Sequence, residues 1–213
     1  MNSIFKICVL FLFTAPTAMA ADMGLGQGRL FLGSAKPSPT ELNTELTAQG
    51  IKNIDLNNQY GIEITFPTFQ YLSLGLRYTH HVTSQEGSLV QAYKAEISQD
   101  GLMGVARVPL FKSDIVHFDI FAAGGVNKTT YTEKSATQDG FLESSASPTF
   151  AAGASVAVGY QKYFLFLEGG FESNKVESLT RSGTVTTNVN TIDLSGSYVL
   201  LGVMFDGIPV FSK

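Results

Sequence analysis

The sequence predicts an all-β fold: eight antiparallel strands closed into a transmembrane barrel, with short turns at one end and long loops at the other. Three observations lead there. Apolar residues alternate with small or polar ones in blocks of about ten. The connections between blocks alternate in length. Beyond the first twenty residues there is no apolar run of the ~18 residues that a membrane helix requires. Composition agrees. The 213 residues are 44% hydrophobic but only 15% charged, with 21 Gly, 16 Phe, 8 Tyr, no Trp and one Cys. Average soluble domains are ~25% charged. So many aromatics exclude a disordered chain. The single cysteine, Cys8, excludes a disulfide scaffold. A net charge of −4 argues against nucleic-acid binding.

Residues 1–20 read as a signal peptide: Lys6, the apolar run Ile7 to Phe13, Pro16 as breaker, and the small-x-small pattern Ala18-Met19-Ala20. Cys8 lies too early for lipoprotein cleavage. Removal of Lys6 with the leader leaves 13 basic and 18 acidic residues, net −5. Residues 21–205 form the expected barrel and 206–213 a short periplasmic tail.

The first strand, Leu25 to Ser34, alternates weakly. A short helix is expected over Pro39 to Gln49, with Ser38 as N-cap and Gly50 as stop. It has few large apolar residues and reads as an ornament of the loop 35–56. In the second strand, Tyr60, Ile62, Ile64 and Phe66 oppose Gly61, Glu63 and Thr65. In the third, Leu72, Leu74, Leu76 and Tyr78 oppose Ser73, Gly75, Arg77 and Thr79. The fourth, Gln91 to Val108, is long, with an unclear register around Gln99 to Gly101. Val116 to Asn127 is the fifth. In the sixth, Phe150, Ala152, Ala154, Val156, Val158 and Tyr160 oppose Ala151, Gly153, Ser155, Ala157 and Gly159. In the seventh, Tyr163, Leu165, Leu167 and Phe171 oppose Phe166, Glu168, Gly170 and Glu172. Ile192 to Phe205 is the eighth. Segments 67–70, 109–114 and 161–162 are short turns. Segment 82–88 is moderate, and 35–56, 128–147 and 174–191 are long loops. A bilayer forbids open sheet edges, so such strands must close on themselves.

A lipocalin-like barrel or a sandwich also alternates, but it buries its large apolar side chains. Here the face opposite the Leu, Ile, Tyr and Phe residues carries Gly, Ser, Thr and Ala with isolated charges. That division suits lipid outside and a small-residue, ionic interior. Tyr60, Phe66, Phe69, Tyr71, Tyr78, Phe118, Phe150, Tyr160 and Tyr163 are available for interfacial girdles without Trp.

With this pattern the chain resembles the small eight-stranded outer-membrane barrels of Gram-negative bacteria, OmpA-like, OmpX-like and OmpW-like. The resemblance covers residues 23–205. It rests on the leader, the strand count, the loop asymmetry, the inward glycines Gly75, Gly153, Gly159 and Gly170, and the ending Leu201-Gly202-Val203-Met204-Phe205. That family stops at such a Phe, whereas here Asp206 to Lys213 follow. Pro209 disfavours a strand that slides to Phe211. The resemblance implies outer-membrane location, insertion by the barrel-assembly machinery, contact with outer-membrane lipid and lipopolysaccharide, and a monomer.

Arg29, Glu63, Arg77, Asp119, Glu168 and Glu172 fall on the inward face, with His117 beside them. Buried charges persist when paired, so these six are the candidate lumen network; the resemblance points the same way. His80 and His81 are adjacent on a strand and point to opposite faces, which disfavours a metal site. His81-Val82-Thr83 places Thr where lipid-A deacylases of this fold carry Ser, so no catalytic residue is assigned. Gly24-Leu25-Gly26-Gln27-Gly28 precedes a strand rather than a helix and is not a nucleotide fingerprint. No cofactor, metal or nucleic-acid partner is expected. The expected role is structural, or adhesive through an extracellular ligand held by the long loops, around a plugged polar interior. The alternatives are OmpW-like passage of small or apolar solutes, with Phe121 and Phe166 inside, and a lipid-modifying enzyme.

Overall fold

The computed structural model describes residues 26–69, 71–88, 92–135, 139–177, 179–185 and 187–208. The expected signal peptide, 1–20, and residues 209–213 of the expected tail lie outside these.

Eight strands close a ring: β1 (Gly26–Pro37), β2 (Asn57–Phe69), β3 (Leu72–Ser88), β4 (Ala92–Lys112), β5 (Val116–Ser135), β7 (Ser147–Tyr160), β8 (Tyr163–Ser173) and β12 (Gly196–Ile208). Each pairs antiparallel with the next, and β12 returns to β1 from Pro37↔Gly196 to Gly26↔Ile208. Closure gives every ring strand two neighbours, as a bilayer demands. The side-chain division follows. Leu30, Leu32, Ile62, Leu74, Ile120, Val156, Leu165, Leu167, Val199 and Leu201 are exposed on the outside. Arg29, Glu63, Arg77, Thr79, Ser155 and Glu168 are buried inside. Tyr60, Phe69, Tyr71, Tyr78, Phe118, Phe150, Tyr160 and Tyr163 face outward as expected of girdle residues. Among the described residues, no helix is long and apolar enough to cross a membrane.

The connections 113–115 and 161–162 are short, and Gln161 takes φ +57° in the tight turn between β7 and β8. At the opposite end the structure departs from the expected long loops. β3, β4 and β5 continue well past the apolar band, so 82–88 and much of 128–147 are strand. β6 (Asp139–Ser144) pairs with the upper part of β5 on one side and with β10 (Leu179–Gly183) on the other. β9 (Lys175–Glu177) pairs with β11 (Thr191–Asp193). The expected eighth strand is therefore two elements, β11 and β12, separated at Leu194–Ser195.

Three further expectations are corrected. The helix is α1 (Thr40–Ala48), entered at Pro39; Ser38 accepts the Thr40 N–H with its carbonyl, at 2.8 Å, rather than capping with its side chain. Gly50, at φ +70°, follows its C-terminal end in the conformation glycine tolerates. Nor is α1 an ornament. Leu42 and Leu46 are fully buried in an apolar cluster with Ile54, Ile97, Tyr131, Leu142, Val176 and Ile192, a folded cap over the long-strand end. Last, β12 runs to Ile208, three residues past the expected barrel boundary at 205. Asp206 donates its N–H to Lys162 O at 2.9 Å, and Gly26 pairs with Ile208. Backbone pairing with a neighbouring strand and turn overrides the terminal-Phe pattern.

Candidate functional site

The lumen holds two polar tiers. The lower is an ion-pair layer. Arg29 on β1, Glu63 on β2 and Arg77 on β3 are successive register partners. Asp119 on β5, Ser155 on β7 and Glu168 on β8 form a second such row. Arg107 on β4 links the two. It donates from Nε to Glu63 Oε1 at 2.5 Å, from Nη1 to Asp119 Oδ1 at 2.5 Å and from Nη2 to Glu168 Oε2 at 2.6 Å. Arg77 reaches Glu63 Oε2 at 2.7 Å and Glu168 Oε1 at 2.8 Å. Arg29 reaches Asp119 Oδ2 at 2.8 Å and Ser155 Oγ at 2.9 Å. Tyr198 on β12 closes the layer, its hydroxyl 3.4 Å from Glu168 Oε1. All eight ring strands contribute a side chain. Three guanidiniums face three carboxylates, and the layer carries no net charge.

Five of the six residues read from the sequence, Arg29, Glu63, Arg77, Asp119 and Glu168, meet in this layer. Glu172 does not; it belongs to the upper tier. The reason is spacing: Glu172 is four residues along β8 from Glu168, about 13 Å at the rise of a strand. Arg107 is the residue that sequence reasoning missed. Its signal was the alternation Met103, Val105, Arg107, all buried. That alternation carries back without interruption through Gly101 and Gln99, where the register had been unclear.

The interior is not only small and ionic. Phe31, Phe121 and Phe166 lie inside and take the guanidinium faces: Arg77 sits 4.7 Å from the Phe121 centroid and 5.2 Å from Phe31, Arg107 4.6 Å from Phe121, and Arg29 5.2 Å from Phe166. A planar cation bonded at its edge leaves its faces for aromatic contact. Gly61 makes room for this, because a Cβ there would lie 2.7 Å from the Phe31 ring.

The upper tier is a belt of amides and hydroxyls beneath the cap. Gln59, His81, Gln99 and Thr129 are lateral partners across β2, β3, β4 and β5. Asn174, just past β8, crosses the lumen. It donates to Gln99 Oε1 at 2.5 Å and Glu172 Oε1 at 3.2 Å, and accepts from Asn127 Nδ2 at 2.7 Å. His81 Nε2 stands 3.7 Å from Glu172 Oε2. His80 faces outward instead, Nδ1 at 2.8 Å from Asp100 Oδ1, with the Tyr60 ring against it. His117 lies towards the short-turn end, against Phe164. Among the described residues, no three His, Cys, Asp or Glu side chains converge as a metal site.

The cap lies above the belt. Among the described residues its one deeply buried carboxylate, Glu133, accepts from Tyr131 Oη at 3.0 Å and from Thr187 N at 3.1 Å, as well as from the Thr187 hydroxyl. Arg181 donates to Thr187 O at 2.9 Å from the other side. Thr187 is thereby held from both sides.

No family model and no curated protein matches the sequence. The fold does match solved structures. OprG, an outer-membrane protein of Pseudomonas aeruginosa, superposes with a TM-score of 0.58 at 15% identity, over 87% of this chain and 97% of that one. Ail, the attachment invasion locus protein of Yersinia pestis, was solved with the heparin analogue sucrose octasulfate. It gives 0.52 at 7% identity, over 87% and 99%. The neisserial surface protein NspA gives 0.51 at 11%, over 85% and 96%. The chain has the fold of the small eight-stranded outer-membrane β-barrels.

Proposed function

We propose that this protein is a monomeric outer-membrane barrel of a Gram-negative bacterium, with a sealed lumen and a folded extracellular cap that serves a structural or surface-recognition role. The observation that carries this reading is the neutral ion-pair layer spanning all eight strands. Every one of its carboxylates is bonded to at least two guanidiniums. A hydrated ion passing this level must break several buried pairs at once, and breaking one costs about 3–5 kcal/mol. The apolar cap is a second closure. The test is planar-bilayer recording from purified protein. The expected outcome is negligible conductance; a steady open-channel current overturns the sealed reading.

Passage of small or apolar solutes draws support from Phe31, Phe121 and Phe166, but these rings are packed on guanidiniums rather than lining an open track. We read the protein as non-enzymatic. Thr83, two residues past His81 on the same face, donates to Leu56 O at 2.9 Å and so is engaged away from the imidazole. Lipid A and phospholipid incubated with the protein should be unchanged by mass spectrometry.

A further inference from the structure

The two lumen tiers differ in charge balance. In the lower, three carboxylates meet three guanidiniums. The upper contains one buried carboxylate, Glu172, and no arginine or lysine side chain bonded to it among the described residues. Its Oε1 accepts from Thr149 Oγ1 at 3.1 Å and from Asn174 Nδ2 at 3.2 Å. Its Oε2 faces His81 Nε2 at 3.7 Å, beyond hydrogen-bond reach.

Four polar atoms of this tier are buried without a hydrogen-bond partner among the described residues: His81 Nε2, Asn57 Oδ1, Gln59 Oε1 and Asn127 Oδ1. All four residues are at most 3% exposed. Gln59 is the register partner of His81, and Asn57, two residues before Gln59, lies on the same face of β2. Asn127 is tied to the carboxylate through Asn174, its amide nitrogen donating to Asn174 Oδ1 at 2.7 Å. That bond leaves the carbonyl end of Asn127 as the free one.

Three of these four atoms are carbonyl oxygens, and the buried carboxylate of the same tier is linked to Asn127 through Asn174 and faces His81, the register partner of Gln59. Unmet buried acceptors that share a tier with a buried carboxylate favour positive charge. An anion is repelled, and an apolar group leaves every acceptor unmet. One carboxylate among neutral donors compensates one positive charge, so a monovalent ion leaves the tier neutral. A calcium site of useful affinity draws on several carboxylates. Hard oxygen donors of this type suit an alkali-sized ion.

We propose that the upper lumen tier is a binding site for a small monovalent cation of sodium size, formed by Glu172 with the carbonyl oxygens of Asn57, Gln59 and Asn127 and with His81 at its edge. The ion is a resident rather than a passenger, because the cap lies above it and the ion-pair layer below. This site is independent of what the cap recognises.

The test is thermal unfolding followed by circular dichroism, in nonionic detergent at constant ionic strength. Protein is refolded and held throughout in sodium chloride or in the chloride of N-methyl-D-glucamine, a cation too large for the site. The expected result is a midpoint higher in sodium by about 4 °C or more, saturating with concentration. Glu172→Gln, which keeps the shape and removes the charge, should abolish the difference. Gln59→Met and Asn127→Leu, which carry the test if Glu172→Gln fails to fold, should each raise the half-saturating sodium concentration about tenfold, roughly the loss of one good ligand. Equal midpoints in the two salts, or a full sodium response in Glu172→Gln, overturn the proposal. Stabilisation by calcium or magnesium but not by sodium overturns the monovalent assignment.

Discussion

Arg107 carries more of the lumen than either other guanidinium of the layer, since among the described residues it alone donates hydrogen bonds to Glu63, Asp119 and Glu168 together. Arg107→Ala leaves three buried carboxylates with one donor group fewer each, and should destabilise the barrel by about 3–5 kcal/mol in urea unfolding from lipid vesicles. Ser155→Ala removes one hydroxyl bonded to Arg29 and Asp119 but leaves every ion pair of the layer in place, and should cost only about 1.5–3 kcal/mol. A larger loss from Ser155→Ala than from Arg107→Ala would contradict the assigned hierarchy. Gly61→Val is a steric counterpart. Its branched side chain meets the Phe31 ring, which is pinned beneath the Arg77 guanidinium, so folding yield should fall sharply in refolding assays.

At the scale of elements, the cap and the lumen have separate apolar clusters. The cap's apolar cluster, with Leu42 and Leu46, shares no residue with the lumen's own cluster around Phe31, Phe121 and Phe166. Leu46→Ala should therefore cost about 2–5 kcal/mol of cap stability. Proteolysis should become faster within residues 37–56, while the slow-migrating heat-denatured form and the faster folded form on gels stay distinct. A barrel that loses its folded mobility in this variant would mean that cap and ring fold as one unit. The helix was legible in sequence as a helix, with boundaries off by one residue, but its role was not. Two leucines four residues apart do not announce a core when their partners, Ile97, Tyr131, Leu142, Val176 and Ile192, come from five other elements.

For the whole molecule, the outward apolar band and the charge-paired interior determine behaviour. The chain should show β-type circular dichroism in detergent and should not fold in plain buffer; a monodisperse folded protein without detergent would count against the membrane barrel. The cap exposes Glu41, Asp55, Glu86 and Glu177 among its lysines. With acids interspersed, it lacks the one-sign field that draws a polyanion. Sucrose octasulfate, the ligand solved with Ail, should not bind this protein measurably at physiological salt by calorimetry, and saturable binding there would reverse that reading.

Strand period two and the inability of a bilayer to satisfy open edges made the ring legible from the residues alone. So were the inward positions of Arg29, Glu63, Arg77, Asp119 and Glu168, because alternation places each side chain on one face once its strand is phased. The sequence by itself also determined that charges on that face would need partners. What tertiary structure alone decided was the pairing, and the height at which each residue sits. Which acid meets which guanidinium depends on the stagger between strands: Arg107 meets Glu63 across β3, although Met103 is the register partner of Arg77. The same stagger separates Glu172 from the balanced layer and sets it among amide oxygens. Alternation encodes a face, a local property of one strand; level and partner arise only when eight strands close with a common shear.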